Sequence, residues 1–119
     1  MKFKKADDWK VNGTHLQGHV NASYDELVAV FGKEHSDGDG YKVQAEWVLK
    51  FEDGTIATIY DYKEGKNYNG SSGISKEKVT DWHIGGTSFG DALDRARQAI
   101  RDYDPNVIEM ESPRLKIGN

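Results

Sequence analysis

The chain of 119 residues contains no cysteine, which excludes disulfide bridges, thiol nucleophiles and cysteine-ligated zinc. A long apolar run is also missing, so no membrane span is predicted. The basic start at residues 1–5 is followed by Ala6, Asp7 and Asp8, where a secretory signal requires an apolar stretch. We therefore expect a soluble cytoplasmic protein that does not associate with membranes.

An excess of positive charge is absent as well. The formal net charge is −4, which argues against a dedicated nucleic-acid binder and is too small for a DNA mimic. Internal repeats are absent, and the length fits one domain over residues 1–119. We expect residues 1–8 and 111–119 to be loosely ordered, with Phe3 as the anchor of the first segment.

The strongest feature that is present is a β-hairpin signal over residues 41–62. Asp53 and Gly54 predict a two-residue type I′ turn, because that turn needs positive φ at both central positions. Counting outward from this turn places an apolar and aromatic set on one face, which should form the core. The predicted pairs on that face are Phe51 with Ile56, Leu49 with Thr58, Trp47 with Tyr60, and Ala45 with Tyr62.

The same register places Glu46 directly opposite Asp61 on the other face. Two opposed carboxylates are unfavourable unless a cation or a proton lies between them. One interpretation is a cation or acid–base site. The favoured interpretation is that the two solvated side chains splay apart, with Lys63 as a neutralising neighbour.

Two helices are predicted. Ser23 and Glu26 form a capping box for a short helix over 24–31, whose buried stripe is Leu27, Val30 and Phe31, and Gly32 suits the position after its end. A longer helix is predicted over 89–103, with Ser88 as its N-cap and Asp91 three residues later. Its apolar face comprises Phe89, Leu93, Ala96, Ile100 and Tyr103.

His15 and His19 are separated by three residues, a spacing that on a helix would permit metal binding. Gly13 and Gly18 make a helix improbable here, and Asn12-Gly13 instead predicts a turn in a short first hairpin. No third ligand is evident. We therefore predict no metal site and no cofactor.

Residues 63–78 form an aperiodic segment rich in glycine, serine, asparagine and lysine. Loops of this length are often binding loops or lids. Its lysines could bind an anion beside the aromatic platform of Tyr68, although a solvated loop kept soluble by lysines is somewhat favoured. The lysines are Lys63, Lys66, Lys76 and Lys78.

A strand is predicted over 79–84, with Trp82 and Ile84 on one face and Asp81 and His83 on the other. It leads into Gly85, Gly86, Thr87 and Ser88, and then into the predicted helix. Glycines, hydroxyl groups and a helix N-terminus are the components of an anion site. A plain connection with a good helix cap explains the same residues equally well, because the P-loop lysine is missing.

The fold class predicted from these elements is α+β. It consists of a mainly antiparallel sheet of four to six strands around the central hairpin, packed by one long and one short helix. The predicted core comprises Trp47, Leu49, Phe51, Ile56, Tyr60, Trp82, Ile84, Leu93 and Ile100.

Four segments together resemble a family of small non-structural proteins of tailed bacteriophages, for which no activity is established. The segments are GTHLQGHV, YDELVAVFG, EWVLKFEDGTIATIYDYK and TDWHIGG, within residues 12–86. The resemblance implies a phage protein acting in the cytoplasm of a host bacterium. Many such proteins antagonise a host enzyme or defence system by covering a protein surface or by sequestering a small nucleotide.

Three hypotheses for function follow. The first and favoured one is a binder that inhibits a host protein through exposed aromatic residues, with Trp9, Tyr62 and Tyr68 as candidates. The second is a small-nucleotide binder that uses the 63–78 lysines, His83 and residues 85–88. The third and least favoured is an enzyme that uses His83 with Asp81 or Glu46, since no nucleophile motif is recognisable. A homo-oligomer is compatible with all three.

Overall fold

The computed structural model describes residues 2–6, 14–34, 42–87 and 91–103. These residues form a five-stranded antiparallel sheet with the strand order β1-β3-β4-β5-β2, which confirms the α+β class. The elements, in chain order, are β1 (Phe3–Lys5), β2 (His15–Asn21), α1 (Tyr24–Phe31), β3 (Glu46–Phe51), β4 (Ile56–Tyr60), the short α2 (Lys66–Asn69), β5 (Asp81–Gly86) and α3 (Asp91–Tyr103).

The predicted hairpin is formed by β3 and β4, but its turn has three residues instead of two. Phe51 N donates to Thr55 O (2.9 Å), and Gly54 N donates to Phe51 O (2.9 Å). Only Gly54 has a positive φ in this turn (92°). The three-residue turn therefore avoids the left-handed conformation that a type I′ turn would impose on Asp53. Asp53 instead accepts a hydrogen bond from Thr55 N at 3.0 Å.

The longer turn shifts the predicted pairing by one residue. Trp47 pairs with Ile59, and Leu49 pairs with Ala57. A shift of one residue moves every side chain of one strand to the opposite face. Ala57 and Ile59 therefore join the core, on the face that packs against the helices, which we call the inner face.

Ile56 is buried as predicted, but it lies on the opposite, outer face of the sheet. The prediction that Tyr60 belongs to the core is wrong, because Tyr60 is half-buried on that outer face. Six of the nine predicted core residues are buried on the inner face, and Leu93 is partly buried against it. The six are Trp47, Leu49, Phe51, Trp82, Ile84 and Ile100.

Two fully buried tryptophans form the centre of the core. Trp47 and Trp82 pack edge to face, with ring centroids 5.4 Å apart. Each indole N–H is satisfied by a backbone carbonyl next to α1. Trp47 Nε1 donates to Gly32 O (2.7 Å), and Trp82 Nε1 donates to Ala22 O (3.0 Å). The sheet is thereby joined to both ends of this helix.

The short helix α1 begins and ends as predicted. Ser23 Oγ accepts from Glu26 N (3.1 Å), while the Glu26 carboxylate accepts from Ser23 N (2.8 Å). Gly32, with φ of 83°, follows the last helical residue. Leu27 and Phe31 are buried in the core, and Val30 is partly buried against it.

The long helix α3 lies close to the sheet because two strand glycines leave space for it. A Cβ at Gly86 would lie 2.2 Å from Ala92 Cβ, and one at Gly18 would lie 2.7 Å from Leu93 Cδ2. The described helix begins at Asp91. The predicted N-cap Ser88 and the apolar Phe89 lie outside the described residues.

Residues 3–5, which we expected to be loosely ordered, form the edge strand β1. Phe3 anchors it, since its ring contacts Phe31 (5.2 Å) and Phe51 (5.6 Å). Trp9, the turn at Asn12-Gly13 and the tail at 111–119 lie outside the described residues. Within the described ranges, no helix has the length and apolar character needed to span a membrane.

We predict that Trp47→Ala lowers the free energy of unfolding by about 3–5 kcal/mol, because it removes a buried ring and leaves a cavity. Trp47→Phe should cost about 1–2 kcal/mol, since it keeps most of the apolar contact but loses the hydrogen bond to Gly32. Urea unfolding followed by circular dichroism measures both values. An unchanged denaturant midpoint for Trp47→Ala would contradict the position of Trp47 in the core.

Candidate functional site

Four rings meet on the outer face of the sheet around His83. His83 faces outward from β5, as predicted, and its strand neighbours are His19 on β2 and Tyr60 on β4. The His83 ring lies 4.2 Å from the His19 ring, 5.4 Å from Tyr60 and 5.5 Å from Tyr62. We call these four residues the histidine–tyrosine cluster.

Asp81 is bonded to His19 and not to His83. His19 Nδ1 lies 2.9 Å from Asp81 Oδ1, because His19 pairs with His83 across the strands and is thus a diagonal neighbour of Asp81. The predicted pairing of His83 with Asp81 is therefore wrong. A carboxylate at this position can fix the imidazole tautomer of a general base. Both side chains are about half exposed (47% and 59%), so solvent weakens their attraction.

His83 lies in an environment that favours its neutral form. Burial and the neighbouring His19 lower the pKa of the His83 imidazole, against the opposing effect of Asp81 and Asp61. Its Nδ1 atom is buried and has no hydrogen-bond partner among the described residues. The central ring of the cluster therefore favours the uncharged form at neutral pH.

Asp61 is fully buried directly behind the cluster. Its carboxylate accepts hydrogen bonds from Gln44 N (2.7 Å), Gln44 Nε2 (2.8 Å) and Ala45 N (3.1 Å). Glu46 pairs with Tyr60 instead, so the predicted opposition of Glu46 and Asp61 is wrong. Asp61 instead fixes the segment that leads into β3, because its carboxylate accepts hydrogen bonds from Gln44 and Ala45. Asp61 lies between Tyr60 and Tyr62 in the chain, so these bonds also fix the backbone between the two tyrosines.

The surroundings of the cluster are rich in carboxylates. Burial raises the pKa of the Glu64 carboxyl, and the charges of Asp81 and Asp61 raise it further. The pKa of the Tyr60 hydroxyl is likewise raised by burial, by Glu46 and by Tyr62. Burial, which disfavours a charge of either sign, is the larger cause for both groups, and the neighbouring carboxylates add a smaller negative contribution.

Lys63 and Tyr68, two of the predicted ligand-binding residues, contact the cluster through Tyr62. The Lys63 ammonium lies 5.2 Å from the centroid of the Tyr62 ring and 5.5 Å from that of Tyr68. Tyr62 and Tyr68 raise the pKa of Lys63. Tyr62 remains 39% exposed. The rings of this surface therefore already hold one cation by the cation–π interaction.

The segment over 63–78, predicted to be aperiodic, is a folded loop. It contains α2 and two short 3₁₀ turns, Gly70–Ser72 and Lys76–Lys78. Its two ends are joined by Ile74 N donating to Glu64 O (2.8 Å), and Asn69 Nδ2 donates to Lys63 O (2.7 Å). This bonding fixes the loop beside the cluster, whereas Lys66 at the start of α2 is exposed.

Lys76 already has an anionic partner within the protein, because it forms an ion pair with the buried Glu34. Glu34 also accepts a hydrogen bond from the Tyr24 hydroxyl (2.6 Å). Burial alone would raise the pKa of Glu34, but the hydrogen bonds from Lys76 and Tyr24 outweigh it and lower that pKa. The positive charge of Lys76 therefore neutralises a carboxylate at the end of α1.

The predicted glycine-rich anion loop is in large measure a strand. Gly85 and Gly86 are the last residues of β5, and each is required by packing. A Cβ at Gly85 would lie 2.7 Å from Thr58 Oγ1, and Gly86 contacts Ala92 of α3. Thr87 N donates to Ile56 O (3.3 Å), and Ser88 lies outside the described residues.

No local sequence pattern identifies His19 and Tyr60 as members of the cluster. The spacing of His19 from His15 points to a different pair, and His15 in fact pairs with Gly86 at the other end of β2. The register predicted from a two-residue turn directs Tyr60 into the core. One sequence signal does place both histidines on the outer face. His19 and His83 each lie next to a buried residue of their strand, Val20 and Trp82, and successive residues of a strand face opposite sides of the sheet.

Within the described ranges, no three histidine, aspartate or glutamate side chains are arranged to hold a metal ion. No protein-family model matches the chain, and no curated protein matches its sequence. A function for this protein therefore rests on the chemistry of its own surface and on the sequence resemblance.

We predict that Asp61→Ala lowers the free energy of unfolding by about 2–4 kcal/mol, because three donors lose a charged acceptor in a buried site. Asp61→Asn should cost less, since its carbonyl can still accept the two backbone bonds. Asp94→Ala, at an exposed position of α3, serves as the control and should stay within about 0.5 kcal/mol of the wild type. Equal stability of Asp61→Ala and the control would contradict this role of Asp61.

We predict that stability decreases in acid through His83. Its pKa in the folded protein lies below the ordinary value of 6.5, so the unfolded chain binds the proton more readily. The free energy of unfolding should fall as the pH drops from above 6.5 towards the lower folded pKa, and this contribution should then level off. Urea unfolding across that pH range should show a smaller decrease in His83→Asn than in the wild type. An identical decrease would exclude His83 as its source.

Proposed function

We propose that this chain is a phage accessory protein that binds and inhibits a protein of the host bacterium, such as a component of a defence system. The histidine–tyrosine cluster is its contact surface, and the partner presents a positively charged segment there. The observation that carries this proposal is the ring cluster, in which His19 and Tyr62 are exposed, with the carboxylates of Asp81 and Glu64 nearby. The site of action is the host cytoplasm.

The rings provide the type of surface that forms strong protein contacts. Tyrosine and histidine combine apolar area with hydrogen-bonding groups and lose little conformational entropy on binding. Tyr62 is 39% exposed, and Leu16, which pairs with Gly85 on the same face, is 51% exposed. The backbone beneath these side chains is a paired sheet. The surface is therefore preorganised, which reduces the entropic cost of association.

The charge around the cluster favours a cationic partner over an anionic ligand. Glu64 and Asp81 lie at the cluster with Asp61 behind them, and the whole chain carries a formal charge of −4. A nucleotide phosphate would meet these carboxylates, whereas an arginine side chain would gain from them and from the ring faces. Lys76 is paired with Glu34, so one of the four lysines considered for a nucleotide already has a carboxylate partner.

We predict that Tyr62→Ala reduces capture of the host partner at least about tenfold, as expected for an aromatic contact residue. The matched control is Tyr103→Ala, because Tyr103 is a tyrosine that is 60% exposed on α3. Wild type and both variants are immobilised, incubated with host lysate, and the retained proteins are quantified by mass spectrometry. One host protein should be retained by the wild type and by Tyr103→Ala, but not by Tyr62→Ala.

The same experiment tests the charge of the partner. Retention of that protein should weaken with added salt and in Glu64→Gln, since both reduce the attraction for a cationic segment. The proposal is contradicted if Tyr62→Ala and Tyr103→Ala retain identical proteins in identical amounts. Retention that is insensitive to salt and to Glu64→Gln would contradict the charged partner.

A further inference from the structure

A second feature of the outer face lies over β1 and β3, at the opposite edge of the sheet from β2. An open cleft of about 310 Å³ is present there, close to the lower limit of small-molecule sites. The lining residues are Lys2, Phe3, Lys4, Lys50, Phe51 and Glu52. Three of these six side chains are cationic in a protein whose net charge is negative.

The strand register places two of these lysines directly opposite each other. Lys4 pairs with Lys50, so their side chains leave the sheet on the same face. Like charges at directly paired positions are unfavourable. No carboxylate among the described residues forms an ion pair with either lysine. The pair is therefore a local concentration of positive charge that forms no ion pair with a described residue.

Lys2, which immediately precedes β1 and lies opposite Glu52, adds a third positive charge to this cleft. Glu52, the one acidic residue that lines the cleft, is engaged there, since its carboxylate accepts from Lys2 N (3.3 Å). Its backbone N–H also donates to Lys2 O (2.9 Å). These bonds hold Glu52 at the end of the cleft, so the cleft is lined by three cationic side chains and one carboxylate.

Protection of the sheet edge explains only some of these lysines. Lysine on an edge strand prevents other chains from adding to the sheet, and β1 is such a strand. Lys50 belongs to β3, which lies between β1 and β4 and has no free edge. Edge protection therefore does not account for Lys50, which lies directly opposite Lys4.

We propose that this cleft binds the phosphate group of a small molecule, held between the Lys4 and Lys50 ammonium groups with Lys2 as a third contact. A phosphate placed between two lysines removes their repulsion and gains a charge-assisted hydrogen bond from each. The site is separate from the histidine–tyrosine cluster and does not depend on the proposed partner protein. Free phosphate chains and nucleotides share this chemistry.

The test is a titration of the ¹⁵N-labelled protein with tripolyphosphate, followed by two-dimensional NMR, with sodium chloride of equal ionic strength as the reference. The amide signals of Lys4 and Lys50 should shift saturably with tripolyphosphate and not with chloride. Lys4→Gln and Lys50→Gln should each weaken binding about tenfold. The control Lys78→Gln, an exposed lysine outside the cleft, should bind like the wild type.

A parallel titration with ATP and adenosine separates the two sources of phosphate. Equal affinity for ATP and tripolyphosphate supports recognition of the phosphate chain alone, and tighter binding of ATP supports a nucleotide ligand. Binding of adenosine as tight as that of ATP would overturn the proposal. So would shifts that are the same in chloride, or phosphate binding that survives both glutamine substitutions. If the double variant only aggregates more readily and still binds phosphate, the lysines act in edge protection alone.

Discussion

The structure depends on the three-residue turn that joins β3 to β4. Gly54 takes the positive φ that this turn requires, and the bond from Phe51 N to Thr55 O closes it. A turn shorter by one residue would exchange the two faces of one strand relative to the other. With the observed turn, Ile59 joins Trp47 in the core and Tyr60 faces outward beside His83.

The outer face consequently has two regions of opposite electrostatic character. Rings and carboxylates occupy the region formed by β4, β5 and β2, with Asp61 fully buried behind them. Lysines occupy the region formed by β1 and β3. Between them, Val48 and Thr58 are a buried cross-strand pair that belongs to neither region. The two edges of the sheet therefore differ in the charge of their outward-facing side chains, although the chain as a whole is acidic.

Features that depend on neighbouring residues were predictable from sequence. The capping box at Ser23 and Glu26 and the outward direction of Asp81 and His83 are local, and both are observed. The turn length was not predictable from Asp53-Gly54, since this dipeptide occurs in both two-residue and three-residue loops. Only packing of the whole sheet selects between them.

Contacts between distant segments could not be predicted at all. His19 and His83 are brought together because β2 pairs with β5, and no local pattern specifies that partner. Lys76 was expected to be available to a ligand, and Glu34, 42 positions away, removes its charge from that role. Long-range pairing of strands and charges thus decides which of the predicted site residues can act together.

The most direct test of this account is a nuclear Overhauser spectrum of the protein in solution, because every assignment of a residue to a face depends on the hairpin register. Paired residues that exchange no hydrogen bonds bring their Hα atoms into close contact. The account predicts an Hα–Hα contact between Val48 and Thr58, together with contacts between the Tyr60 and His83 rings. An Hα–Hα contact between Leu49 and Thr58, with the Tyr60 ring against Trp47, would contradict it.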